Sequence, residues 1–103
     1  MVTQLIDVFI EEARKRITEL QSAIDSGDTN SAEKLAHSLK GSSLSIGATL
    51  MASVCLRLEE DVRLHLSEQC QRAIEDLKAE FDRAVNALTV YKNGGVKNEN
   101  TNR

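Results

Sequence analysis

The chain has 103 residues with a formal net charge of −3, enough for one domain around a single core, and it lacks the basic stripe and aromatic platform that nucleic acids need. With 41% apolar residues, 3% aromatics and no proline, long uninterrupted helices are expected and β-structure is not. No run approaches the roughly 18–20 apolar residues of a membrane span, and acidic residues interrupt Met1–Glu12 too early for a signal peptide, so the expectation is a soluble intracellular protein.

In chain order, the first predicted helix covers about 3–25, with Leu5, Phe9, Ala13, Ile17, Leu20 and Ile24 at helical spacing and Ile6 and Ile10 widening the stripe. Gly27 is its stop signal. Asn30-Ser31-Ala32-Glu33 reads as a capping box and opens a second helix over about 31–46, which Gly47 closes. Thr49 is a candidate cap for a third helix, about 49–65, striped by Leu50, Met51, Val54, Cys55, Leu58 and Val62. Ser67 is a candidate cap for the fourth, about 67–92, striped by Cys70, Ile74, Leu77, Phe81, Val85 and Leu88. Short connections make neighbouring helices antiparallel, so the expected fold is an all-α, up-down-up-down four-helix bundle. The bundle should occupy residues 1–92, followed by a flexible polar tail over 93–103, where apolar residues almost vanish.

The second helix carries the residues that ask for chemistry. At roughly 100° per residue, Ala32, Leu35, Leu39, Ser42 and Ile46 cluster opposite His37, which therefore sits mid-way along the helix on its solvent face. Lys40 and Gly41, at i+3 and i+4, flank the imidazole. A glycine inside a helix costs about 1 kcal/mol relative to alanine, and clearance for something large beside His37 is a reason to keep it. Leu44 is an apolar residue on the same face and suits a protein contact. Residues 29–58 carry Lys34, Lys40 and Arg57 against Glu33 alone, a locally positive stretch on an acidic chain that would favour an acidic partner site.

Ala36-His37-Ser38-Leu39-Lys40-Gly41-Ser42-Ser43, continuing into Ile46-Gly47-Ala48, resembles the histidine-containing phosphotransfer (HPt) family of two-component signalling. The likeness runs over roughly residues 5–91, through Phe9, Glu12-Ala13 and Gly27-Asp28 before this core and Leu50, Cys55, Leu58-Glu59 and Arg63 after it. Ser38 stands where the family often has threonine.

The resemblance implies a phosphorelay intermediate. His37 would accept a phosphoryl group from the aspartyl phosphate of a receiver domain, through Nε2 by the family's habit, and pass it to another receiver aspartate. Lys40 would neutralise phosphoryl oxygens and Gly41 would admit the receiver's loops. The Mg²⁺ that such transfer needs is expected on the receiver, and no bound cofactor or metal is expected on this chain. Partners would be receiver domains of response regulators or hybrid sensor kinases, met through a face that includes Lys34, Leu44, Ala48 and Met51. A monomer in the cytoplasm is expected, either free-standing or as a soluble module of a membrane-bound sensor kinase.

Other residues have competing readings. Glu59 lies twelve residues after Gly47 and His37 ten before it, so a hairpin brings them to similar heights. Glu59 could then accept a hydrogen bond from imidazole Nδ1–H and orient the ring; the alternative is a solvated carboxylate or a pair with Arg63 at i+4. Ser42 and Ser43 read as small packing residues that bond back to helix carbonyls. His65 reads as a favourable charge at a helix C-terminus. Cys55 and Cys70 read as core, because neither they nor His65 have zinc-ligand spacing. The chain has no Gly-rich phosphate loop for ATP, so it should have no kinase activity of its own, and four helices complete a bundle without a paired hairpin. A non-catalytic helical adaptor that binds receiver or kinase domains is the alternative function.

Overall fold

The computed structural model describes residues 2–94, with side chains from Gln4 onward. Four helices follow one another, α1 (Val2–Ser26), α2 (Thr29–Ile46), α3 (Thr49–Arg63) and α4 (Ser67–Lys92), and there is no strand among the described residues. Each helix packs on the next, and α4 closes the bundle against α1. A Lys92–Asp7 ion pair at 2.8 Å and the Arg14 guanidinium over the Phe81 ring tie this last seam.

All three connections use the same turn. Gly27, Gly47 and His65 each take the left-handed conformation, with φ of 77°, 84° and 58°. Each donates its N–H to the carbonyl three residues back, while the following residue donates to the carbonyl five back: Asp28 to Ala23, Ala48 to Ser43 and Leu66 to Asp61. So tight a turn makes the residue after the left-handed one the N-cap of the next helix. The N-caps are therefore Asp28, Ala48 and Leu66, not Asn30, Thr49 or Ser67. Only the Asp28 side chain serves as a cap, accepting from the Ser31 N–H at 3.1 Å. His65 thus holds a position where the two other turns use glycine.

The core comprises Phe9, Ala13, Ile17 and Leu20 of α1, Ala32, Ala36 and Leu39 of α2, Met51, Cys55, Leu58 and Val62 of α3, and Cys70, Ala73, Ile74, Leu77 and Phe81 of α4. Three sequence assignments need correction. Leu5 is 64% exposed and Ile6 takes the inward place, while Leu50 is 65% exposed. Met51 is buried and belongs to the core, so it cannot be a docking residue. The inward spacing is 6-9-13-17-20 and 51-55-58-62, and one position off that rhythm turns a side chain by roughly 100°. The two cysteines are buried and unpaired, as expected of core residues. Nearly all of the 93–103 tail lies outside the described residues; Asn93 and Gly94 form the turn that ends α4.

The inner face of α2 is made of small residues, Ala32, Ala36 and Ser43 around a single Leu39. Small side chains let two helix backbones approach closely, so α2 seats firmly on α3. That seam fixes the height and rotation of whatever α2 presents to solvent.

Candidate functional site

His37 projects from the middle of α2, its side chain 68% exposed. Across the seam, Glu59 of α3 rises beside it, nine-tenths buried. Glu59 Oε2 lies 3.1 Å from His37 Nδ1, and Glu59 Oε1 accepts a hydrogen bond of 3.1 Å from Lys40 Nζ. One carboxylate thus holds the imidazole and the ammonium with its two oxygens. Burial works to raise the Glu59 pKa, but the Lys40 hydrogen bond and charge, with help from His37, outweigh it and leave the carboxyl below its ordinary value. An ionised carboxylate can only accept, so Nδ1 carries the proton and the lone pair of the neutral ring is on Nε2.

Gly41 follows one turn after His37, and a Cβ built on it would meet nothing within 4 Å. The fold itself does not require glycine there. Beneath the site, Ser43 Oγ donates to the Leu39 carbonyl at 2.7 Å, which is the back-bonding expected of it. The Cys55 thiol is pushed up to about 12, by burial first and then by the Glu59 charge, so it stays protonated and inert.

A second ionic cluster borders the first. Arg63 Nε donates to Glu33 Oε2 at 3.3 Å, joining α3 to α2 one turn before His37, and Nη1 bonds Glu60. Nη2 stands 3.9 Å from Glu59 Oε2. The Glu33–Arg63 and Lys40–Glu59 pairs connect different helices, so no spacing within one helix announces them.

The surrounding face is less basic than the sequence suggests. Lys40 is committed to Glu59, and Arg57 pairs with Asp76 of α4. Among the described residues Lys34 is exposed and has no recorded ion pair, standing on the α1 flank beside Thr18, Ser22 and Ser31. Leu44 is exposed on the His37 face, and Ala48 is half-buried against the core. On the α1 flank, exposed Leu5 and Val8 border a hollow of about 450 Å³ that reaches Ser42, Ser45 and Ile46. Sequence reasoning missed this apolar flank because it assigned Leu5 to the core. No group of His, Cys, Asp and Glu among the described residues could hold a metal ion, and no described helix is long and apolar enough to cross a membrane.

A family model described as "Hpt domain" matches residues 4–87. The chain is 30% identical to histidine-containing phosphotransfer protein 4 of Arabidopsis thaliana over 92 residues, covering 87% of this chain and 72% of that one. It is 28% identical to protein 1 of the same plant over 94 residues, 88% of this chain but only 61% of the relative. With the phosphorelay intermediate protein YPD1 of Candida albicans it shares 27% identity over 94 residues, spanning 91% of this chain and half of the other. Among solved structures, the histidine-containing phosphotransfer protein B (HptB) of Pseudomonas aeruginosa superposes with a TM-score of 0.85 at 30% identity, covering 88% of this chain and 79% of that one.

Proposed function

The chain belongs to the Hpt domain family, and on that premise we propose that it is a phosphorelay intermediate, phosphorylated at His37 by the aspartyl phosphate of one receiver domain and dephosphorylated by the aspartate of another. The observation that carries this reading is the exposed His37 ring, held through Nδ1 by a nearly buried, ionised Glu59.

The chemistry follows from that geometry. The Nε2 lone pair attacks phosphorus, the bond from phosphorus to the aspartyl oxygen breaks, and the receiver's carboxylate leaves with the electron pair. The ring ends with phosphorus on Nε2 and a proton on Nδ1, formally cationic, and Glu59 sits against the atom where that charge needs an anion. No proton has to move in either direction, so the transfer is readily reversible. Lys40, held beside the ring by the same carboxylate, supplies positive charge, the main need of phosphoryl transfer once the groups are positioned. The open space at Gly41 leaves room for receiver loops. Mg²⁺ belongs to the receiver in this reading.

The partner meets the face around Lys34 and Leu44, with the Ala48 turn at its edge. The protein acts as a cytoplasmic monomer, with no kinase activity, alone or as a module of a sensor kinase. The test is incubation with receiver domains charged by acetyl phosphate and Mg²⁺, followed by intact mass of wild type and His37→Gln. An acid-labile phosphoryl group on wild type alone, with the fold of the variant unchanged, is the expected result. Label on the variant would move the nucleophile elsewhere. No label from several receivers would favour the adaptor reading.

A further inference from the structure

Glu59 presents a problem that the phosphotransfer reading leaves open. Its side chain is 10% exposed, and its carboxylate depends on Lys40 for its short ion pair. A phosphoryl group on His37 would add close to two negative charges beside it, and Lys40 cannot be drawn fully to that group without leaving Glu59 behind. The phosphorylated ring, protonated at Nδ1, keeps one positive charge against Oε2, but the phosphoryl charges outweigh it, and a largely buried carboxylate that loses Lys40 is disfavoured.

The structure holds a second cation for that moment. The recorded hydrogen bonds of Arg63 use Nε, to Glu33, and Nη1, to Glu60. Its Nη2 faces Glu59 Oε2 at 3.9 Å, within ion-pair range but beyond a hydrogen bond. Arg63 is on the same helix as Glu59, one turn on, so closing this gap needs only side-chain adjustment. Oε2 is also the oxygen beside His37 Nδ1, and its second lone pair can accept from the guanidinium while the first stays with the imidazole.

We propose that Arg63 is a reserve counter-ion for Glu59, closing on the carboxylate as Lys40 leaves it for the phosphoryl group on His37. This inference rests on the phosphotransfer reading and makes Arg63 a positioning residue that acts through Glu59. Before transfer, Glu59 restrains both His37 and Lys40. After transfer, Lys40 pairs with the phosphoryl oxygens and Arg63 with Glu59, so the new anion and the old one each keep a cation. The Glu33 and Glu60 contacts keep the guanidinium nearby while it waits.

The experiment measures single-turnover transfer from an acetyl-phosphate-charged receiver domain to wild type, Arg63→Gln, Arg63→Lys, Glu59→Gln and the Glu59→Gln/Arg63→Gln double variant. Arg63→Gln should slow transfer about tenfold, mid-range for coupling inside one charge network, with helicity retained because Arg63 is half-exposed. Arg63→Lys should restore most of the rate. The amide of Glu59→Gln still accepts from Nδ1–H but needs no cation, so removing Arg63 in that background should cost nothing further. Labelling of wild type with an unimpaired Arg63→Gln would overturn the exchange alone, as would an equal loss in both backgrounds, which would mark Arg63 as a contact for the receiver. Failure of wild type to accept label from any receiver would overturn the phosphotransfer reading and the exchange with it.

Discussion

Glu59 faces two demands, a site that needs an anion against imidazole Nδ1 and an environment that resists one. Lys40 reconciles them, and the cost of that reconciliation shows in pH dependence. The Glu59 pKa in the folded protein lies below its ordinary value of 4.5. The stabilisation it contributes is therefore complete above that value and is lost as pH falls through the lower folded one. Thermal melts of wild type and Glu59→Gln from about pH 7 to about pH 3 should show the wild-type advantage shrinking on the acid side. An advantage that stayed constant over that range would mean the carboxylate is not held as described. Gly41 makes the opposite bargain at the same face. A methyl there has open space around it, so Gly41→Ala should raise stability by about 1 kcal/mol, the helix-interior cost of glycine. The same methyl would stand where a receiver approaches His37, and transfer should fall by about 10- to 100-fold, the penalty for small misplacement of reacting groups. A variant more stable and equally fast would remove the clearance role from Gly41.

The three turns set the boundaries of the helices, and one of them is strained. His65 has a φ of 58° in a position that Gly27 and Gly47 fill without a Cβ. The left-handed conformation costs an ordinary residue about 1–2 kcal/mol, part of which glycine gives back as extra freedom in the unfolded chain. His65→Gly should accordingly stabilise the bundle by about 0.5–1 kcal/mol in chemical denaturation, without moving the α3–α4 turn; a loss of stability would show that the imidazole makes a favourable contact of its own. The turns also divide what the sequence made legible from what it did not. Helix number, the Gly27 and Gly47 stops and the outward face of His37 follow from periodicity and one residue type. Glu59 stands where counting from Gly47 puts it. The caps fall elsewhere because an asparagine, serine or threonine near a helix start resembles a cap, whereas the length of the turn decides which residue takes that place. Leu5 and Leu50 turn outward at helix ends, where a stripe has few neighbours to fix its phase, while Met51 keeps its place in the stripe and is thereby lost to docking. The Lys40–Glu59 and Glu33–Arg63 pairs depend on the rotation of α2 against α3, a quantity that intrahelical spacing does not contain.

At the scale of the whole molecule, the site is a property of the α2–α3 seam. His37 and Lys40 come from one helix and Glu59 and Arg63 from the other, so their distances hold only while the two backbones keep their separation. Ala36, the residue before His37, is fully buried in that seam. Ala36→Leu would force an isobutyl group where a methyl now fits a close-packed interface, and over-packing of this kind costs about 1–3 kcal/mol. For a domain of this size each kcal/mol lowers Tm by about 4–8 °C. Because the rest of the core can hold the bundle together, far-ultraviolet helicity should survive while α2 is displaced outward. The displacement would lengthen the His37–Glu59 contact, so the nuclear magnetic resonance signature of the Nδ1–H tautomer should weaken in the folded variant. Ala79, exposed on α4 and so outside the seam, provides the control. Ala79→Leu adds the same volume facing solvent and should leave both stability and tautomer unchanged. A folded Ala36→Leu protein with an intact tautomer would show that Glu59 follows His37 outward and that the side chains, not the seam, maintain the site.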